Sequence, residues 1–170
     1  MKTMGQNDTW RQLADAVRDE LRECAWLLSL LDRQQKAILA RDTAQLSEIS
    51  DTILRQNEQI RRFRSTREAF MFRACLDLNL PEHSKFTTIT GSMPEVLRPL
   101  FEALSHEGTS IRRRIRRRTE MNRRIARRAA MSASELLETV RPGSVTRTYG
   151  PKGAIHTSIG LKGRMVHTSV

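Results

Sequence analysis

The chain has 170 residues, 38% of them apolar, 29% charged and only 5% aromatic, with a formal charge of +11. Eight Gly and five Pro supply too few turns, and the aromatics are too sparse, for a β-sandwich or barrel, so one all-α domain of long helices is the reading. The excess charge is local: residues 1–80 carry 13 basic and 12 acidic groups, residues 81–170 carry 17 and 7, and Ile111–Arg128 alone holds ten Arg against one Glu. A basic surface of this kind directs attention to acidic partners.

Met1–Thr9 has no apolar run of the signal-peptide type. The longest nearly apolar stretch, Cys24–Leu31, is far short of the ~20 residues that span a bilayer. A cytoplasmic protein is expected. From about residue 10 to 40, Leu13, Val17, Leu21, Cys24, Leu28, Leu31, Gln35 and Ile38 recur every three or four residues, which predicts a first helix with Asp8 or Thr9 as its cap. Cys24 and Cys75 both sit in helical apolar patterns, so both read as small core residues rather than as half of a disulfide framework.

The period breaks at Arg41-Asp42-Thr43 and resumes over 43–78 with Leu46, Ile49, Ile53, Gln56, Ile60, Phe63, Arg67, Phe70 and Ala74; Asp42 is the natural cap. Two long helices joined by two or three residues must fold back on each other as an antiparallel hairpin. Residues 79–93 read as a loop, with Phe86 and Ile89 packing over the hairpin's open end. A third helix is predicted over about 94–140, with Pro99 near its start either kinking it or leaving a short separate turn.

The third stripe runs Leu97, Phe101, Leu104, Gly108, Ile111, Ile115, Arg118, Asn122, Ile125, Ala129, Ser132, Leu136, Val140, straight through the arginine-rich run. A disordered basic tail has no reason to place isoleucines at 111, 115 and 125. Residues 1–142 thus form the helical bundle; residues 143–170, with five Gly, read as a flexible tail holding a short turn or hairpin around Tyr149–Gly153.

No catalytic or metal-binding constellation is present in the sequence. His83, His106, His156 and His167 form no H-x-x-x-H or H-E-x-x-H pattern, and the two Cys no C-x-x-C. Glu102 and His106, four apart, lack a third group to orient the imidazole. Gly150-x-x-Gly153 lacks the Lys-Ser/Thr of a phosphate loop. The reading is a non-enzyme without metal or cofactor.

The arginine run admits three readings: a nucleic-acid surface, a solvated face with acidic neighbours in the same chain, or a surface for an acidic protein partner. The pairs Arg112/Arg116, Arg113/Arg117 and Arg114/Arg118 each destabilise an isolated helix by about 0.2–0.5 kcal/mol, so something acidic is wanted nearby. In an up-down-up arrangement residue n of the first helix faces about n+86 of the third. That places Arg118 near Asp32 and Asp51, and Asn122 near Gln35, a polar layer of the kind that fixes register. It also leaves the end of the third helix without cover: Ala129–Val140 overshoots the hairpin by about 15–20 Å at ~1.5 Å per residue. Its apolar side, with Ala129, Leu136, Leu137 and Val140, is a candidate partner-binding stripe.

This layout resembles the FlgN-type flagellar export chaperones. The resemblance rests on Leu39-Ala40-Arg41-Asp42-Thr43-Ala44-Gln45-Leu46 at the hairpin turn and Arg67-Glu68-Ala69-Phe70-Met71-Phe72 in the second helix. It continues with Asn122 in the third-helix seam and Thr148-Tyr149-Gly150-Pro151-Lys152-Gly153 in the tail. It implies a chaperone that binds the helical C-terminal segments of hook–filament junction proteins and delivers them to a membrane protein of the export gate. Such a chaperone works in the cytoplasm and transiently at the export apparatus of the inner membrane. It assigns substrate contact to the third helix, here Ile111, Ile115, Ile125, Ala129, Leu136, Leu137 and Val140, and gate contact to Tyr149 with Gly150 and Gly153. Arg112, Arg113, Arg116, Arg117, Arg123, Arg124 and Arg127 would supply electrostatic orientation. The arginine density departs from the family pattern and keeps open the alternative of an arginine-rich helical nucleic-acid-binding or coiled-coil adaptor protein. A homodimer, supplying a fourth helix from a twin protomer, is a further option.

Overall fold

The computed structural model describes residues 3–140, 145–149 and 155–159. Their elements in order are α1 (Thr3–Ala40), α2 (Thr43–Asp77), α3 (Phe86–Ser92), α4 (Arg98–Val140), β1 (Val145–Tyr149) and β2 (Ile155–Ile159). The packed part is all-α, as its composition and periodicity predict. The chain divides into two compact units, Met1–Asn122 and Arg123–Val170.

In the first unit, α1 and α2 are joined by a turn that both helix ends define. Asp42 N–H donates to Ala37 O and Arg41 N–H to Ile38 O, the bond pair of a Schellman stop, with Arg41 in the left-handed region at φ 56°. Asp42 then turns from stop to start: its carboxylate accepts from Gln45 N–H at 2.9 Å. The same device ends α2, where Asn79 at φ 53° and Leu80 donate to Leu76 O and Cys75 O, and Pro81 follows. Asn tolerates this backbone better than most residues, because its short polar side chain bonds locally.

The hairpin is antiparallel, and two polar contacts pin its register. Buried Glu20 of α1 pairs with Arg67 at 2.6 Å and Arg64 at 3.4 Å on α2. Buried Gln56 donates to Glu23 O at 3.0 Å and to Glu23 Oε2 at 2.7 Å. α4 runs parallel to α1, since successive contacts climb both helices together: Phe101 on Trp10, Gly108 on Leu21, Arg118 on Asp32, Asn122 on Gln34. Gly108 faces Leu21, and a Cβ added there would stand 3.4 Å from Leu21 Cδ2, in ordinary contact.

The core of this unit joins Leu13, Val17, Leu21, Cys24, Leu27 and Leu31 of α1 to Ile60, Ala74 and Cys75 of α2 and to Phe101, Leu104 and Ile111 of α4. Both cysteines are buried and free, as their place on the stripes predicts. Trp10 and Phe101 meet edge to face at 6.0 Å, and Phe86 tilts onto Phe101 at 6.1 Å.

Three boundaries differ from the sequence reading. α1 starts at Thr3, so neither Asp8 nor Thr9 caps it, and Thr9 is buried inside the helix. The stretch read as loop contains α3, a seven-residue helix that buries Ile89 and Thr90; the capping of the hairpin's end by Phe86 and Ile89 is as expected, but it is achieved by a helical turn. The third long helix begins at Arg98 rather than 94. Pro94–Leu97 forms its own turn, with Leu97 N–H on Pro94 O, and Pro99 falls in the first turn of α4, where its missing N–H has no partner to lose.

The second unit holds the end of α4 and a two-stranded antiparallel ladder. Val145 pairs with Ile159, Arg147 with Thr157 and Tyr149 with Ile155. The turn expected around Tyr149–Gly153 falls on residues 150–154, which lie outside the described residues.

Candidate partner-binding helix

The third-helix seam splits into two kinds of position. Phe101, Leu104, Gly108 and Ile111 are buried in the first unit, and Ile115 packs against the same core. Ile111, expected to touch a partner, is 8% exposed: its side chain is taken up by the chain's own hairpin, which reaches further along the helix than substrate contact there would allow. Ile125 and Ala129 are half-buried. Leu136 at 58%, Leu137 at 41% and Val140 at 76% stand exposed, as does Met131.

Between these stretches lies a polar layer. Arg118 pairs with Asp32 at 2.7 Å and donates to Gln35 Oε1. Asn122, almost fully buried, donates through Nδ2 to Leu31 O at 2.8 Å and to Gln34 Oε1 at 3.0 Å. The Arg118–Asp32 pairing is the one the n+86 count predicts. Asn122 falls one residue short of Gln35, and Asp51 is exposed on α2 with no ion pair to Arg118.

The remaining arginines of the run, Arg112, Arg113, Arg114, Arg116, Arg117, Arg123, Arg124, Arg127 and Arg128, are exposed, and among the described residues none forms an ion pair. Positions 112–117 differ by about 100° each around the helix, so five guanidiniums crowd roughly 200° of its circumference within about 7.5 Å of rise.

The other predicted positions fall differently. Tyr149 is the last residue of β1, and Gly150 and Gly153 lie outside the described residues. Burial, with Glu20 nearby, pushes the Cys24 thiol above its ordinary range, which makes it a poor nucleophile. Among the described residues no group of three or more His, Cys, Asp or Glu could hold a metal ion, and no helix is long and apolar enough to cross a membrane.

Sequence reasoning missed α3, and with it a cavity of about 80 Å³ whose lining includes Phe86, Glu20, Arg67 and Arg112. Its only signal was Phe86 and Ile89 three residues apart between Pro81 and Pro94, too short to separate from a loop.

The described residues thus form an all-helical scaffold with polar register pins and a cationic face in the first unit, and an exposed apolar end of α4 in the second. The family model described as FlgN protein matches residues 4–157, nearly the whole chain. The chain belongs to the FlgN family, the flagellar export chaperones, and its role lies in flagellar assembly and protein export. No match was found among curated proteins or among solved structures.

Proposed function

We propose that the chain escorts hook–filament junction proteins by holding their helical C-terminal segments against the end of α4. The observation that carries this reading is the exposure of Leu136, Leu137 and Val140 on one well-formed helix. Ile125, Ala129, Ser132, Leu136 and Val140 follow one another at spacings of four, three, four and four, so they share a face. An amphipathic helix of the substrate covers such a stripe by helix-in-groove packing. Capture of this kind also keeps the assembly-competent segment of an unassembled subunit from self-association.

Delivery is assigned to the segment around Tyr149, whose large ring and hydroxyl suit an anchoring contact with a membrane protein of the export gate. The chaperone then works in the cytoplasm and visits the inner membrane only during handover. Release follows from competition at the gate.

The test is complex formation with a junction protein of the same host, read by size-exclusion chromatography. A one-to-one complex that disappears when the junction protein's C-terminal helical segment is removed supports the reading. A complex that survives this truncation, or none at all with the intact junction protein, refutes it.

A further inference from the structure

Away from the end of α4, the first unit carries a groove between α1 and α4 of about 220 Å³, lined by Leu28, Asp32, Arg114, Arg117, Arg118 and Met121. Its floor is apolar: Leu28 is nearly buried, and Met121 is 43% exposed. Its rim is cationic. Asp32 is committed to Arg118 at 2.7 Å, which leaves Arg114 and Arg117 exposed with no carboxylate in ion-pair reach among the described residues.

On α1 the same side continues past Asp32 to Leu39, eleven residues beyond Leu28 and so within about 20° of its direction on the helix. Leu39 is 65% exposed. A groove floored by Leu28 and Met121, with an exposed apolar residue further along the same side of α1, suits an elongated partner.

We propose that this groove docks an acidic amphipathic helix of a protein partner, with an apolar side chain seated on Leu28 and Met121 and carboxylates pairing with Arg114 and Arg117. The chemistry selects this occupant. A volume of 220 Å³ is below the roughly 300–1,000 Å³ of small-molecule sites, and it suits side chains rather than a metabolite. All ten basic residues of Ile111–Arg128 are Arg and none is Lys, and the guanidinium fork matches a carboxylate or a phosphate in two parallel hydrogen bonds, so the apolar floor decides between them. A nucleic-acid backbone has no use for the apolar floor, and no aromatic residue in Ile111–Arg128 offers a base a stacking platform. This surface is distinct from the stripe at Leu136–Val140 and does not depend on the function assigned to that stripe.

The experiment uses the full chain and three fluorescent amphipathic peptides with one leucine stripe, flanked by Glu, Gln or Lys, with binding read by anisotropy. The Glu peptide binds at least tenfold more tightly than the Lys peptide at about 0.15 M salt, where charges beyond ~8 Å are screened. Charge reversal at the rim, Arg114→Glu with Arg117→Glu, inverts that preference; the side chains are exposed, and circular dichroism confirms the unchanged fold. Arg123→Glu with Arg127→Glu makes the same change in net charge outside the groove and keeps the preference for Glu.

Four results overturn the proposal. One is equal binding of all three peptides. Another is equal loss in both double variants, which marks attraction by net charge alone. The third is displacement of the Glu peptide by duplex DNA at this salt, which marks the arginines as a phosphate surface. Loss of the Glu peptide in Leu136→Asp with Leu137→Asp, with the rim variant unaffected, overturns it as well, while leaving the α4-end reading intact.

Discussion

Asn122→Leu should make the protein more stable, although it removes two well-formed hydrogen bonds. Asn122 Nδ2 donates to Leu31 O and Gln34 Oε1. Each bond contributes a net ~0.5–1.5 kcal/mol. Neither acceptor is stranded by the loss: Leu31 O lies inside a helix that supplies its own backbone bonds, and the Gln34 side chain is partly exposed and turns to water. The other half of the amide weighs against the wild type. Asn122 is 3% exposed, and its Oδ1 meets no donor among the described residues, a desolvation cost of about 1–3 kcal/mol. A buried leucine contributes about 1.5–3 kcal/mol in the same place, less ~1 kcal/mol for imperfect fit. The balance is a gain of about 1–2 kcal/mol, read as a higher urea midpoint at unchanged slope and as a rise of about 2–4 °C per kcal/mol in melting temperature. The gain in stability comes with looser register, as when a polar seam residue is replaced in a coiled coil. A loss of 1 kcal/mol or more would refute the reasoning and show that the layer is held together by bonds stronger than its geometry implies.

Three further changes test the frame. Glu20→Ala leaves Arg67 facing α1 without its 2.6 Å partner and should cost about 2–3 kcal/mol in chemical denaturation, below the range for a fully buried pair because Arg67 is 20% exposed and keeps Glu68 at 3.4 Å; Arg64→Ala, at a 47% exposed side chain, should cost under ~1 kcal/mol. Asp42→Ala removes the bond to Gln45 N–H and should cost about 1 kcal/mol at the hairpin turn, again by denaturation. The raised pKa of Cys24 means that the folded chain holds this proton to higher pH than the unfolded chain does. Its contribution to stability is therefore constant below the ordinary thiol pKa of ~8.5 and falls as pH rises from there through the folded value, and native Cys24 should react with a disulfide reagent far more slowly than in urea.

The long elements were legible because period and punctuation agree. The stripe of α1, the break at Arg41–Thr43 and the run of α2 leave one arrangement, and from it the count n+86 places Arg118 against Asp32 before any coordinates. Short elements were not legible. α3 has two apolar anchors and no capping side chain, so its packing into the core, with Ile89 buried and Phe86 on Phe101, makes it a helix. The start of α1 escaped because Asp8 and Thr9 are good caps in isolation, yet buried Trp10 and Thr9 favour continuing the helix upstream of them. The apolar seam showed that α4 has a sticky side, but not where the hairpin stops using it. The fold uses the seam as far as Asn122, which is buried, whereas Leu136 stands exposed.

The central claim is that the exposed end of α4 serves the partner rather than the fold, and Leu136→Asp with Leu137→Asp tests it most directly when melting and junction-protein binding are measured on one preparation. Changes at exposed positions typically stay within ~0.5 kcal/mol, so the melting temperature should hold within about 2 °C. Two carboxylates forced into an apolar contact cost several kcal/mol, so binding of the junction protein's C-terminal segment should fall at least a hundredfold. Ile60→Asp, at a buried position of α2, should do the reverse and melt the protein. Binding at the wild-type level, or a variant of the leucine pair that unfolds, would contradict the account and move the substrate site elsewhere.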